Sequence, residues 1–136
     1  MTDLTAPSLE SWQAWLAVEH EAVWLYSLIG GRVEDLSDTA RRAWNIHRDA
    51  RDRLITVVRE AGGQPDGPKM AYRAGPIEST GDARRAAQTV EAKVAVAAMA
   101  CIADAFHRPD VVAAVRAAAR AAADWGALPK AFPGLE

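Results

Sequence analysis

The chain has 136 residues, of which half are apolar and a quarter are charged, so it is long enough for one domain with a hydrophobic core. Its 16 lysines and arginines are balanced by 18 acidic residues, and this balance argues against a nucleic-acid partner. The single cysteine, Cys101, excludes an intrachain disulfide framework.

The sequence predicts neither a signal peptide nor a membrane span. Residues 1–7 lack a basic region followed by an apolar run. The apolar run over residues 94–103 is rich in alanine and too short to cross a bilayer. We therefore expect a cytoplasmic protein with no membrane partner.

Helix signals recur four times along the chain, while strand signals are nearly absent. Ser8 is a good N-cap for the first helix, and Gly30 followed by Gly31 should end it. The second helix should end before Gly62, and Pro109 suits the first position of the fourth. The predicted helices cover roughly residues 8–30, 38–61, 80–106 and 109–125.

The connection between the second and third helices, residues 62–79, is long and contains three prolines. About 17 extended residues reach over 50 Å, which exceeds the roughly 35 Å length of one predicted helix. This crossover can therefore join two helical hairpins along the length of a bundle. The predicted fold is an all-α, ferritin-like antiparallel four-helix bundle, forming a single domain over residues 1–136. An up-down bundle with a flexible loop is the alternative.

The C-terminal part of the chain combines an alanine-rich helix with an irregular tail. Alanine favours helix and lets neighbouring helices approach closely, so we expect little room for a cavity near the fourth helix. Pro129 and Pro133 exclude a helix over residues 126–136. We expect Phe132 and Leu135 in this tail to fold back onto the bundle.

Three of the predicted helices each carry one ionisable residue in the middle of an apolar stripe. The three residues are Glu19, His47 and Glu91. Each lies about ten or eleven residues from its helix start, so antiparallel packing should bring them to the same height in the bundle. Because a buried ionisable group is costly unless it is paired or bound to a cation, we expect these three side chains to interact.

Two interpretations of these three residues remain open. They can form a buried hydrogen-bond network, with Tyr26 or Arg51 as a further member. Alternatively, they can bind one divalent ion of iron, manganese or zinc. A dinuclear oxidase is disfavoured, because it needs two Glu-x-x-His motifs and the fourth helix contains neither Glu nor His. No catalytic residue is predicted, since no nucleophile motif or phosphate-binding glycine loop is present.

Two residues of the first helix lie away from its apolar stripe. We expect His20 to lie on a solvated face. Trp24 makes that helix apolar over most of its circumference, so a second apolar face should be buried. Either the crossover, through Met70 and Tyr72, or a second subunit can cover Trp24.

The order and spacing of several short segments resemble those of the actinobacterial ferritin-like domain proteins of unassigned function. The segments are Glu19-His20 with Val23 and Tyr26, His47-Arg48 with Arg51-Asp52 and Leu54, Gly62-Gly63-Gln64-Pro65, Ala71-Tyr72, Glu91 and Phe132-Pro133-Gly134-Leu135. This resemblance covers nearly the whole chain. It implies a ferritin-like four-helix bundle that is often dimeric, and it implies no activity.

Three functional hypotheses follow. The first is a non-catalytic protein that acts through assembly or partner binding, as a homodimer, with the polar cluster setting helix register. The second is a metal-binding or metal-dependent protein with a reduced site at Glu19, His47 and Glu91. The third, a small-ligand pocket between the two hairpins, has no support from particular residues beyond the aromatic side chains of the first two helices. The sequence leaves open whether the protein is an enzyme.

Overall fold

The computed structural model describes residues 7–135, and this part of the chain forms four long α-helices without a strand. The helices are α1 (Leu9–Arg32), α2 (Ser37–Glu60), α3 (Thr80–Met99) and α4 (Arg108–Asp124), with a short 3-10 helix (Glu34–Leu36) before α2. The predicted all-α four-helix bundle with a long crossover between helices 2 and 3 is confirmed. Residues 1–6, for which no signal peptide is predicted, and residue 136 lie outside the described residues.

Serine side chains fix the starts of α1 and α3. The hydroxyl of Ser8 accepts a hydrogen bond from the backbone N–H of Ser11, and that of Ser79 accepts one from Asp82. The Asp82 carboxylate in turn accepts from the backbone N–H of Glu78, at 3.1 Å. Such side chains satisfy backbone donors that a helix start leaves without partners, so both starts follow from local sequence.

The third helix ends at Met99, seven residues before the predicted end at residue 106. Residues 100–107 form turns that lead directly into α4. The Arg108 guanidinium donates to the backbone carbonyls of Ile102 and Ala103, at 2.9 and 3.2 Å, and the Asp104 carboxylate accepts from the backbone N–H of His107. These side chains supply hydrogen bonds that a continued helix would otherwise make, which is why the helix can end early.

The buried core of the described residues consists of three apolar clusters, of which the two larger lie toward opposite ends of the bundle and the smallest comprises Val94, Ala95 and Ala118. Of the two larger clusters, one includes Leu25, Ile29 and Ile77, and the other includes Trp12, Leu16 and Val58. Along α1, Glu19 lies between the residues that belong to the two clusters. Glu19 therefore lies between the two larger clusters, at the height where the sequence predicts the polar residues.

The crossover lies along α1 and is fixed to it by a glutamine side chain. The amide of Gln13 donates to the carbonyl of Gln64 at 2.7 Å and accepts from the backbone N–H of Asp66 at 2.9 Å. Farther along, Ile77 enters the core. The chain from residue 62 to 79 thus runs along the bundle, as its length and its prolines predict.

Two expectations about the outer face of α1 are settled by this crossover. His20 is buried rather than solvated, because its Nε2 donates to the carbonyl of Asp66 at 2.9 Å. Trp24 packs against the Tyr72 ring, with centroids 5.5 Å apart, so the crossover covers it. Met70, the other residue expected to cover Trp24, is fully exposed. The expectation about His20 was wrong because a hydrogen bond to a carbonyl of the crossover leaves no trace in helix periodicity.

The C-terminal tail contacts α3 through its backbone and not through its large side chains. Gly134 is buried, and a Cβ atom at this position would lie 2.5 Å from the carbonyl oxygen of Ala95. Phe132 and Leu135 are exposed, which corrects the expectation that they fold back onto the bundle. A glycine without a side chain permits closer backbone contact than Phe or Leu would, so it becomes the point of attachment.

The fourth helix packs mainly on α3, and a groove separates it from α2. The groove encloses about 220 Å³ and is lined on the α4 side by alanines. A second groove of about 360 Å³ lies between α3, α4 and the tail. The expectation of little room near α4 is therefore wrong: alanine shortens the side chains, and the backbones have not moved in to close the gap. None of the helices in the described residues combines the length and apolar character of a membrane span.

Candidate functional site

The site is a linear chain of hydrogen-bonded side chains that joins three helices. α1 supplies Glu19, α2 supplies His47 and α3 supplies Glu91. All three side chains are buried, at 1, 5 and 1% exposure. The heptad-like spacing of apolar neighbours points each one inward, so the structure brings together the three residues that the sequence singles out.

The imidazole of His47 lies between the two carboxylates and uses both ring nitrogens. Its Nδ1 lies 2.9 Å from Oε1 of Glu19, and its Nε2 lies 2.6 Å from Oε1 of Glu91. Ionised carboxylate oxygens only accept hydrogen bonds, so both ring nitrogens must donate. With both acids ionised, this geometry places an imidazolium between two carboxylates.

Tyr26 extends the chain at its Glu91 end. The Tyr26 hydroxyl donates to Oε1 of Glu91 at 2.8 Å, so this oxygen accepts from both Tyr26 and His47. The Tyr26 ring also stacks on His47, with centroids 5.5 Å apart, and on Trp125, at 6.0 Å. Trp125 was not singled out from the sequence, where its position just after the alanine-rich helix is its only signal.

The pKa values follow from burial and from this pairing. Burial lowers the pKa of His47, but its hydrogen bonds to Glu19 and Glu91 outweigh burial and raise the pKa to about 10. Burial raises the pKa of Glu19 above its ordinary value, against the lowering effect of His47. Burial and the nearby Glu91 raise the pKa of the Tyr26 hydroxyl well above 10. His47 is therefore charged and Tyr26 neutral at physiological pH.

Among the arginines near His47 on α2, the one proposed from spacing lies outside the cluster. Arg51, chosen because it follows His47 by four residues, pairs with Asp52 at 3.0 Å. Arg53 instead lines the α2–α4 groove together with Glu19, and its charge favours the ionised form of that acid. The three-residue spacing from Ala50 to Arg53 is the signal that could have placed it there.

The arrangement of the three side chains does not converge on a single metal position. A divalent ion needs lone pairs directed at one point about 2.0–2.2 Å from each donor atom. Here the two carboxylates lie at opposite nitrogens of one imidazolium, which has no lone pair to offer. Within residues 7–135, no group of three or more His, Cys, Asp and Glu side chains is placed to hold a metal ion. The metal site stays a prediction, and it would require the side chains to rearrange.

The α2–α4 groove reaches this cluster from the surface. Its floor includes Glu19, His47 and Glu91. Its walls are apolar apart from Arg53, and they include Ile46 and Val94 with the following alanines: Ala43, Ala50, Ala113, Ala114, Ala117, Ala118 and Ala121. Oε2 of Glu91 is buried and has no hydrogen-bond partner. The groove thus has an apolar lining with one unsatisfied acceptor on a side chain of its floor.

Comparison with known proteins identifies a family but no activity. Residues 11–136 match the family described as a domain of unknown function (DUF4439), and the chain belongs to that family. No curated protein matches the sequence. Among solved structures, the fold is similar to a conserved hypothetical protein, rv2844, from Mycobacterium tuberculosis. The TM-score is 0.79 at 24% sequence identity, over 85% of this chain and 92% of that one.

Proposed function

We propose that this member of the DUF4439 family is a non-catalytic, ferritin-like bundle that acts by assembling with a second copy of itself. In this proposal the Glu19–His47–Glu91 chain is structural and sets how α1, α2 and α3 pack. The long crossover and the two hairpins support the ferritin-like relation, including the resemblance to actinobacterial proteins. The free, buried Cys101 suits a cytoplasmic location, which remains part of the proposal.

The observation that carries the proposal is the apolar surface of the C-terminal tail. Leu128, Phe132 and Leu135 are 87, 72 and 66% exposed. The close approach of Gly134 to Ala95 ties the tail backbone to α3, so these side chains are presented outward from an attached segment. Exposed apolar side chains grouped on one segment are typical of a protein interface.

The cluster supports a structural role because most of its hydrogen-bonding capacity is already used internally. Both nitrogens of His47 and the hydroxyl of Tyr26 are engaged with carboxylates. A buried polar contact of this kind is best satisfied in one helix register, since a shift would leave charges without partners. This favours a role in specifying the packing of the bundle.

Sedimentation equilibrium tests the assembly proposal. We expect the unmodified protein to sediment as a dimer and Phe132→Glu to sediment as a monomer, because the new charge would be buried without a partner. Met70→Glu is the matched control, since Met70 is fully exposed on the crossover. A monomeric unmodified protein, or an unchanged dimer in Phe132→Glu, would contradict the proposal.

Metal binding at Glu19, His47 and Glu91 is the competing proposal, with Tyr26 in support; Arg51 would have to leave Asp52 to support it as well. It is favoured by the unsatisfied Oε2 of Glu91 and opposed by the engagement of both His47 nitrogens. Elemental analysis of protein purified without an affinity tag tests it. Stoichiometric iron, manganese or zinc that is lost in His47→Ala would establish the metal site. Protein that takes up none of the three metals would exclude it.

A further inference from the structure

The two carboxylate oxygens of Glu91 differ in the hydrogen bonds that they accept. Oε1 accepts from both His47 and Tyr26, at 2.6 and 2.8 Å, whereas the buried Oε2 accepts from no group. A buried acceptor without a partner destabilises the folded protein, and more so when it is charged. A molecule that donates a hydrogen bond to this oxygen would remove that destabilisation.

Two grooves flank α4 and both include Glu91, but they differ in what else they contain. The groove between α3, α4 and the tail is lined by Leu128, Pro133 and alanines, together with the polar side chains of Gln88, Thr89 and Lys130. The α2–α4 groove also reaches His47 and Glu19, the partners in the buried cluster. Because the α2–α4 groove is lined by Glu19, His47 and Glu91, it is the route by which a ligand approaches Glu91 together with two of its neighbours in the cluster.

The charges around the α2–α4 groove indicate an uncharged ligand. The ionisable residues that line it are two acids, Glu19 and Glu91, and two bases, His47 and Arg53. With all four ionised their charges cancel, so neither a cation nor an anion gains from the net charge of the site. An ion would also lose its hydration against the alanine walls, which is costly in an apolar setting.

The size of the groove limits the ligand. A cavity of about 150 Å³ holds benzene in a protein interior. The α2–α4 groove encloses about 220 Å³, which corresponds to a molecule of roughly eight or nine non-hydrogen atoms. Ile46, an exposed apolar side chain, stands on its α2 wall, where it can cover the apolar part of such a molecule.

We infer that the α2–α4 groove binds a small apolar alcohol, whose hydroxyl donates to Oε2 of Glu91 and whose apolar body lies between Ile46 and the alanines of α4. This inference concerns a ligand site and is independent of assembly through the tail. The hydroxyl would satisfy the one open acceptor of the cluster, while the rest of the molecule would cover apolar surface on both helices.

Four probes of nearly equal size test the ligand class: 2-phenylethanol, ethylbenzene, phenethylamine and phenylacetate. Binding is followed by chemical-shift titration, with the resonances of Ile46 and Ala117 as reporters. We expect 2-phenylethanol to bind about tenfold or more tightly than ethylbenzene, because only the alcohol donates to the carboxylate. We expect phenethylamine to bind more weakly than the alcohol and phenylacetate most weakly of all.

Two substitutions on α4 locate the site. Ala117 lines the α2–α4 groove, and Ala122 lines the groove beside the tail. Ala117→Phe should abolish binding of 2-phenylethanol, while Ala122→Phe should leave its affinity unchanged. The reverse pattern would overturn the inferred location.

Three other results would overturn the inference. Equal affinity for the alcohol and ethylbenzene would remove the role of Glu91, and tighter binding of the amine would refute the uncharged class. No binding by any probe to the folded, unmodified protein would refute the site itself. A monomer in sedimentation would leave this inference intact, so its failure is distinguishable from failure of the assembly proposal.

Discussion

The two helical hairpins differ in the size of the side chains they place in the core. The α1–α2 hairpin supplies Trp12, Trp15 and Leu54 together with two of the three polar cluster residues. The α3–α4 hairpin packs largely through alanine and valine, and its only member of the cluster is Glu91. Large side chains fill the interior around the first hairpin, whereas short ones leave grooves on both sides of α4.

The difference shows that alanine does not by itself close a bundle. Short side chains permit close helix packing, but the distance between backbones is set by the largest groups at the interface. Near the start of α4, Trp12 and Trp15 of α1 pack in one cluster with Val111 and Val115, and side chains of that size keep the backbones apart. The alanine-rich hairpin therefore leaves grooves on both sides of α4, while the cleft of about 340 Å³ on the α1–α2 hairpin lies beside the large Tyr26 and Trp44.

The largest effect on stability is expected from removing the centre of the polar cluster, His47. His47→Ala leaves two buried carboxylates without their shared donor, and we expect it to lower the free energy of unfolding by about 3–5 kcal/mol. Urea unfolding measures the change. Replacing the whole cluster with apolar residues should instead be neutral or stabilising, by up to about 4 kcal/mol. That combined variant is Glu19→Leu, His47→Phe, Glu91→Leu and Tyr26→Phe; a cost equal to that of His47→Ala would contradict this account.

Side-chain size can be altered separately in the two hairpins. Leu54→Ala, in the first, should cost about 2–5 kcal/mol because it opens a cavity in a filled core. Ala98→Leu, at a fully buried site of α3, should cost about 1–3 kcal/mol through overpacking. Ala117→Leu adds the same atoms at the open groove, and its effect should stay within about 0.5 kcal/mol. Thermal and urea unfolding measure the cost of each substitution. Equal costs for Ala98→Leu and Ala117→Leu would argue against an open groove at Ala117.

The charge of the cluster should make stability depend on pH. The pKa of His47 rises from an ordinary 6.5 to about 10 in the folded state, so its contribution is complete below pH 6.5 and is lost as the pH rises toward 10. The pKa of Glu19 is also raised above its ordinary value, which acts in the same direction as the pH rises. We expect the free energy of unfolding to fall across pH 6.5–10, by at most about 1.4 kcal/mol per pH unit from His47.

The matched variant for this pH series is His47→Gln, which cannot gain a proton. Its unfolding free energy, measured in urea at each pH, should change less over the same range than that of the unmodified protein. Equal slopes for the two proteins would mean that His47 is not charged between its carboxylates.

The smallest effect is expected where the tail meets α3. Gly134 has a φ of +85° and lies close to the carbonyl of Ala95, whereas Gly62 has a φ of +88° with open space around it. Gly62→Ala should cost about 1 kcal/mol through backbone conformation alone. Gly134→Ala should also displace the tail, because its Cβ would overlap the Ala95 carbonyl. Hydrogen exchange of residues 127–135 should speed up only in Gly134→Ala; unchanged exchange would show that the tail is not held there.

Prediction from sequence succeeded where the apolar pattern of a single helix indicates which way a side chain points. The apolar neighbours of Glu19, His47 and Glu91 indicate which way each side chain points, and the structure brings the three together. It failed where the partner lies on another element. His20 is buried by the carbonyl of Asp66 on the crossover, and Arg53, not Arg51, approaches the cluster. Neither contact has a periodic signal, because each depends on how separate segments pass one another.

The amino-acid sequence alone determined four helices, the long crossover and an inward position for two acids and one imidazole, since spacing and end signals are local properties of the chain. Only the tertiary structure decided that the imidazole lies between the two acids, that Oε2 of Glu91 lacks a donor and that α2 and α4 stand apart. These features depend on distances between helices. Those distances result from the packing of all side chains together, and no single segment specifies them.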